Sequence, residues 1–169
     1  YKYKRMLNKH RRHNAKPKPG TYVLRELGQG MVYYDPVEKP NKIPTVHPTI
    51  KTLDKDLDFF FNNVSLYTRY GMPGTRKVAL IGPPGTGKTS MAYRVAREHS
   101  DKKSVVFCTE ISLLATHLAS CAKYGVPTIA ILEDAESAFN AQSPTGGASS
   151  SFLNFLDGIN QKPNKSGAY

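Results

Sequence analysis

Cysteine is scarce: Cys108 and Cys121 are the only two in 169 residues, too few for a disulfide framework or a zinc finger. Both sit in apolar stretches, which reads as buried free thiols in a reducing compartment. Long apolar runs are also lacking, and none approaches the ~18 residues that a membrane span requires. The basic start is not followed by the apolar block of a signal peptide. It shares an acid-free, Arg-bearing composition with organelle transit peptides, but it lacks their amphipathic period. Acids are absent from the first twenty residues, which hold Lys2, Lys4, Arg5, Lys9, Arg11, Arg12, Lys16 and Lys18. That arm carries most of the formal net charge of +11, leaving 16 basic against 13 acidic side chains elsewhere. A tyrosine rather than a methionine comes first, so the sequence reads as part of a longer chain. These absences exclude a secreted miniprotein, a membrane span and a wholly disordered chain.

Three regions are expected: a basic arm at 1–20, a small β-like element and linker at 21–46, and an α/β core at 47–169. The arm is either a solvated tail or a contact for nucleic acid or a partner. Thr21–Leu24 and Met31–Tyr34, flanking Gly28-Gln29-Gly30, predict a hairpin. Pro36, Pro40 and Pro44 then space out a linker. From Asp54 the pattern turns helical, with Leu57, Phe60, Phe61, Val64 and Tyr67 on one face and Gly71 and Pro73 as the stop. Lys77–Ile81 predicts a buried strand, and 87–99 a helix with Met91, Val95 and Ala96 inward. Ser104–Cys108 and Thr128–Leu132 predict two further buried strands. Ile111–Lys123 between them predicts a helix with Leu114, His117, Leu118 and Cys121 near one face. A loop at 143–151 precedes a helix through Phe152, Leu153, Phe155 and Leu156. Strands alternating with helices imply a parallel sheet flanked by helices.

Gly82-Pro83-Pro84-Gly85-Thr86-Gly87-Lys88-Thr89 completes the G-x-x-x-x-G-K-[ST] pattern between an apolar run and a helical one. Glycines let backbone N–H groups converge on a phosphate, and the following helix points its positive end there. Lys88 can reach β- and γ-phosphate oxygens, and the Thr89 hydroxyl suits Mg²⁺, which prefers oxygen ligands. Ser90, next in the helix, joins the candidate nucleotide-binding residues. The run Ile129–Leu132 then delivers Glu133, Asp134 and Glu136 at a strand end, where ligands bind in such sheets. Glu133 is the candidate for holding a Mg²⁺-bound water. Asp134 is the candidate base for the attacking water, with Lys88 stabilising phosphate charge.

Gly82 to Thr89, Leu132-Glu133-Asp134 and Phe152-Leu153-Asn154-Phe155-Leu156-Asp157-Gly158 together resemble an AAA ATPase over about residues 47–169. The family order is Asp then Glu. The order here is similar to that of the subgroup that moves the folded Rieske iron–sulfur protein across the inner mitochondrial membrane. His47-Pro48-Thr49-Ile50-Lys51-Thr52-Leu53 resembles that subgroup's lead-in as well.

The resemblance implies the large subdomain of a P-loop NTPase, with ATP and Mg²⁺ bound at the boundary between subunits of a homo-oligomer, usually a hexameric ring. It places residues around Ile50 near the adenine. It also implies a sensor strand, an arginine finger and a helical lid, which these 169 residues do not contain. Thr109-Glu110-Ile111-Ser112 lacks the aromatic–apolar–Gly pore loop of unfolding translocases, so polypeptide threading does not follow. The expected function is ATP-driven remodelling of a protein or nucleic-acid client in an intracellular setting, with the cytoplasm first and the mitochondrion open. Two alternatives stand beside it: a nucleotide-gated assembly module with little turnover, and a nucleic-acid-handling ATPase that uses residues 1–20. His10 and His13 lack a carboxylate or cysteine to complete a metal site, and His117 reads as a satisfied core residue.

Overall fold

The structure, a computed structural model, describes residues 16–26, 32–39, 41, 47–136, 154, 155, 157 and 163–169. Four strands form one sheet: β1 (Gly20–Glu26), β2 (Val32–Pro36), β3 (Ser104–Cys108) and β4 (Thr128–Leu132), in the order β2-β1-β3-β4. β1 and β2 are antiparallel, whereas β1–β3 and β3–β4 are parallel. Three helices complete the described elements: α1 (Pro48–Arg69), α2 (Lys88–His99) and α3 (Ile111–Tyr124).

The sheet explains the alternation in β3. Val105 and Phe107 pack with Ile50, Leu53, Leu57, Met91, Val95 and Ala96 from α1 and α2. Val106 and Cys108 point to the opposite face, where Leu113 and Leu114 of α3 meet Leu24 and Val32 of the hairpin. Every side chain of β3 is buried, as expected of a strand covered on both faces. The hairpin expected near the N-terminus is therefore part of the main sheet, paired along β3. Its turn residues, the linker prolines Pro40 and Pro44, residues 1–15, and 143–151 lie outside the described residues. So does most of the last expected helix, of which Asn154, Phe155 and Asp157 are helical.

β3, β4 and the inward residues of α2 match their expected positions. Helix α1 begins six residues earlier than the apolar period indicates. His47 caps it through Nδ1, which accepts from Thr49 N at 3.2 Å, and Pro48 stands in the first turn. A proline there costs nothing, because its missing N–H would have had no helical partner.

One expectation is corrected. Lys77–Ile81 is not a buried strand: residues 76–83 carry no regular structure, and Ile81 is 93% exposed. A parallel strand needs a ladder partner, and among the described residues this segment meets the sheet at its root. There Ala168 is bridged in parallel to both Thr75 and Thr128. Ala168 N donates to Gly74 O and Arg76 N to Ala168 O, while Tyr169 N donates to Thr128 O and Ala130 N to Tyr169 O. The acidic strand β4 accordingly lies beside β3 and Ala168–Tyr169, not directly beside 77–81.

Candidate active site

Thr75 and Thr128 run parallel to the same residue, Ala168, so the chain leaves both in one direction. Gly82 follows the first and Glu133 the second, which brings the glycine-rich loop and the acids out at one end of the sheet. Glu133 is held there by its N–H, which donates to Cys108 O at 2.8 Å.

The loop from Gly82 to Gly87 turns sharply because its glycines allow it. Gly85 and Gly87 have φ of 78° and 88°, the left-handed region that other residues enter at a cost. Gly87 is the N-cap of α2 and offers no side-chain cap. The first N–H groups of this 12-residue helix thus face the loop mouth, an arrangement that favours anions. Thr86 Oγ1 donates to Pro83 O at 2.8 Å and braces the turn. Lys88 Nζ donates to Gly82 O at 2.6 Å and to Pro83 O at 2.7 Å, so the ammonium sits at the rim it would share with a phosphate. Thr89 is exposed on the first turn and Ser90 is half-buried. The first-turn N–H groups of α2, the Lys88 ammonium and the exposed residue Thr89 suit a polyphosphate with its cation.

Asp134 follows Glu133 with φ of 50°, the only non-glycine with a left-handed backbone among the described residues. Asp tolerates this region better than most residues. Ile50 is 8% exposed and packs in the core with Leu53, Leu57 and Met91, so its side chain supports α1 against α2. His47, Pro48 and Thr49 beside it are the exposed residues at the start of that helix.

Two ion-pair groups behind the loop went unrecognised in the sequence. Arg94 on α2 binds Asp54 on α1 in bidentate fashion, at 2.7 and 2.8 Å, with Glu98 Oε1 at 3.2 Å. Arg76, at the root of the loop segment, binds Asp56 on α1 at 2.8 and 3.2 Å, and the Tyr169 hydroxyl donates to the same carboxylate at 2.6 Å. The Arg76 and Tyr169 hydrogen bonds hold the Asp56 carboxyl below the usual carboxylate range. Only the Arg94–Glu98 spacing carried a signal; the others join residues remote in sequence.

Residues 78–166, more than half of the chain, match the sequence model of the family described as "ATPase family associated with various cellular activities (AAA)". The chain is 32% identical over 117 residues to "Probable mitochondrial chaperone bcs1" of Schizosaccharomyces pombe, covering 64% of this chain and 26% of that protein. It is 34% identical over 88 residues to human "Mitochondrial chaperone BCS1", covering 50% of this chain and 20% of that one. A third relative, the "26S proteasome regulatory subunit 8 homolog" of S. pombe, is 27% identical over 133 residues, covering 68% and 33%. The chain thus spans from a fifth to a third of the length of these relatives. Among the described residues no helix is long and apolar enough to cross a membrane.

Proposed function

The chain belongs to the AAA family of ATPases, and from that premise we propose that it binds and hydrolyses MgATP to remodel a macromolecular client within a ring-shaped homo-oligomer. The observation that carries the reading is the loop from Gly82 to Thr89, whose left-handed glycines open onto the N-terminus of α2 with Lys88 at its rim. Gly82, Pro83, Pro84, Gly85, Thr86, Gly87, Lys88, Thr89 and Ser90 wrap the phosphates. Thr89 and Glu133 hold the cation. Mg²⁺ bound there supplies charge neutralisation at the phosphate oxygens. The nucleotide's base lies toward the start of α1, around Ile50.

Asp134 accepts a proton from the water that attacks the γ-phosphorus. A new P–O bond forms, the bond to the β-phosphate oxygen breaks, and ADP and inorganic phosphate leave. Lys88 exchanges its bonds to Gly82 O and Pro83 O for phosphate oxygens, stabilising charge on the transferred group. The names of the two chaperone relatives support client remodelling in a mitochondrial setting, ahead of the cytoplasmic one.

A second reading, a nucleotide-gated assembly module with little turnover, draws on the Glu133-Asp134 order and the left-handed backbone at Asp134. An aspartate in the base position is one methylene shorter than a glutamate, and ~1 Å of misplacement can cost a hundredfold in rate. Steady-state MgATP turnover separates the two. The remodelling reading expects turnover that collapses in Asp134→Asn while nucleotide still binds, and binding that is lost in Lys88→Ala. Binding through Lys88 without turnover supports the assembly module. No nucleotide binding by the parent overturns both.

A further inference from the structure

Gly20, Ser104 and Thr128 stand in register at the start of β1, β3 and β4, and antiparallel β2 brings Pro36 to the same end. Hydrogen bonds join the turns along this edge into one continuous rim. Gly20 N donates to Lys103 O, Ser104 N to Pro127 O, Val37 N to Thr21 O and Asn164 N to Pro73 O. Ser166 Oγ donates to Gly125 O at 2.8 Å. The rim is basic: Lys16, Lys18, Arg69, Lys102, Lys123 and Lys165 all stand exposed on it. Among the described residues its acids are Glu38 and Asp101, and Asp101 is held by Lys39 Nζ at 2.8 Å. The opposite edge carries Glu26, Glu110, Glu133, Asp134 and Glu136 beside Lys88. Residues 1–15, which contain no acid, precede Lys16 in the chain, so their charge is tethered to the basic rim.

Helix C-termini favour a basic residue, which accounts for Arg69 at the end of α1 and Lys123 at the end of α3. It does not account for Lys16 and Lys18 before β1, or for Lys165 before the Ala168 bridge. Two phenol rings stand on the same rim. Tyr70 is 77% exposed, and Tyr124 is 37% exposed with Lys123 Nζ 5.2 Å from the centre of its ring. We propose that this rim binds single-stranded nucleic acid, with the lysines and Arg69 on phosphates and the rings of Tyr70 and Tyr124 stacked on bases. Exposed cations alone would fit any polyanion, but aromatic faces among them match the way single strands are held. A lipid surface fits less well, because α1, α2 and α3 reach the rim by their C-terminal ends and none lies along it as an interfacial helix does. The surface is independent of the MgATP reading, since the phosphate loop and the acids occupy the other edge.

The test is fluorescence anisotropy of a labelled oligo(dT) of about 16 nucleotides with the full chain, over a series of salt concentrations. The parent should bind with an affinity that falls steeply with salt, each phosphate contact adding about 0.7 to the log–log slope. Lys102→Gln, Lys123→Gln and Lys165→Gln combined should weaken binding at low salt by about tenfold or more and flatten the slope by about 2. Tyr70→Ala and Tyr124→Ala should each weaken binding about tenfold with the slope unchanged, as the loss of a stacked base predicts. Lys88→Ala, and Arg25→Gln in the exposed pair with Asp35, should leave affinity and slope unchanged. Tyrosine variants that bind like the parent overturn the proposal, since charge alone would then hold the strand. Unaltered binding in the lysine variant overturns it by assigning the contact to residues 1–15. Loss in Lys88→Ala overturns it by placing the strand at the phosphate loop. A parent that binds no oligonucleotide, or binds phosphatidylserine-containing vesicles more tightly, overturns it as well. MgATP binding by the parent stands or falls separately.

Discussion

The Tyr34 hydroxyl and His117 Nδ1, 83 residues apart in sequence, meet at 2.9 Å between the hairpin and α3. The proton positions follow from the neighbours. Thr128 Oγ1 donates to Ser104 O at 2.7 Å, so it accepts from His117 Nε2–H, also at 2.7 Å. His117 Nδ1 is then the acceptor for Tyr34. Four groups on β2, α3, β4 and β3 thus form one directed chain inside the protein. His117 is fully buried, and desolvation pushes its imidazole down to about 3. Cys121, packed against the same ring, has its thiol pushed up by burial to about 12, which leaves it chemically inert.

The buried imidazole predicts an acid-sensitive fold. The folded state keeps His117 neutral down to about pH 3, whereas the unfolded chain protonates it near its ordinary value of 6.5. The unfolded state therefore binds more protons in that window, and stability falls as pH drops from 6.5 toward 3. The slope from this residue is about 1.4 kcal/mol per pH unit. Urea unfolding of the parent and His117→Gln at pH 7 and pH 5 checks it. The parent should lose more stability than the variant between the two values; equal losses would refute the assignment.

Removing only the donor tests the chain of hydrogen bonds. Tyr34→Phe keeps the ring, which packs edge-on against Tyr22 at 5.8 Å, but leaves buried Nδ1 with the weak contact to Cys121 Sγ at 3.9 Å in place of a hydroxyl. The expected cost is about 1–3 kcal/mol in equilibrium unfolding.

The family match begins at residue 78, yet the core does not. Leu24 and Val32 close the face formed by Val106, Cys108, Leu113 and Leu114. A fragment starting at residue 47 should expose that face and lose cooperative unfolding, while one starting at residue 16 should unfold in a single transition. Circular dichroism melts of the two fragments decide it.

Asp134 combines a proposed chemical role with an unusual backbone, and a three-variant series separates them. Asn shares the tolerance of Asp for left-handed φ, so Asp134→Asn should leave the melting temperature unchanged while abolishing turnover. Asp134→Ala should abolish turnover and also cost about 1 kcal/mol, the penalty of a Cβ at φ 50°. Asp134→Gly should be at least as stable as the asparagine variant. Equal melting temperatures for the alanine and glycine variants would argue against the backbone constraint.

The contacts of Arg94 differ in worth. Its bidentate pair with Asp54 joins α1 to α2 with both side chains less than a third exposed, whereas Glu98 is 45% exposed. Arg94→Lys should cost about 1 kcal/mol by losing the fork geometry, and Glu98→Gln less than about 0.5 kcal/mol. Chemical denaturation of both variants measures the contrast.

Local pattern carried much of this fold. Met91, Val95 and Ala96 are the buried residues of α2 because a 3.6-residue period says so, and β3 and β4 stand where their apolar runs are. The turn before α2 was equally legible, since Gly85 and Gly87 are the residues that take its left-handed backbone. What stayed hidden depends on partners far along the chain. The apolar run 77–81 looks like a buried strand by every local measure, but a strand needs a neighbour, and among the described residues the pairing of this segment is with Ala168 at its root. Tyr34 and His117, or Asp56 and Tyr169, have no spacing that announces them. The early start of α1 was legible in principle, because His47-Pro48 is a capping signal that the hydrophobic period does not contain.

The parallel pairing of β1 with β3 also has a consequence for biosynthesis. The hairpin is made well before the strand it docks against, which follows only after α1 and α2 have been synthesised. At ordinary elongation rates that interval is on the order of ten seconds. Throughout it, Leu24 and Val32 are without the partners that bury them in the finished protein. The nascent chain therefore passes through a stage in which the hairpin lacks the surface that buries its apolar side, and that stage is where binding by a holdase chaperone would compete with aggregation.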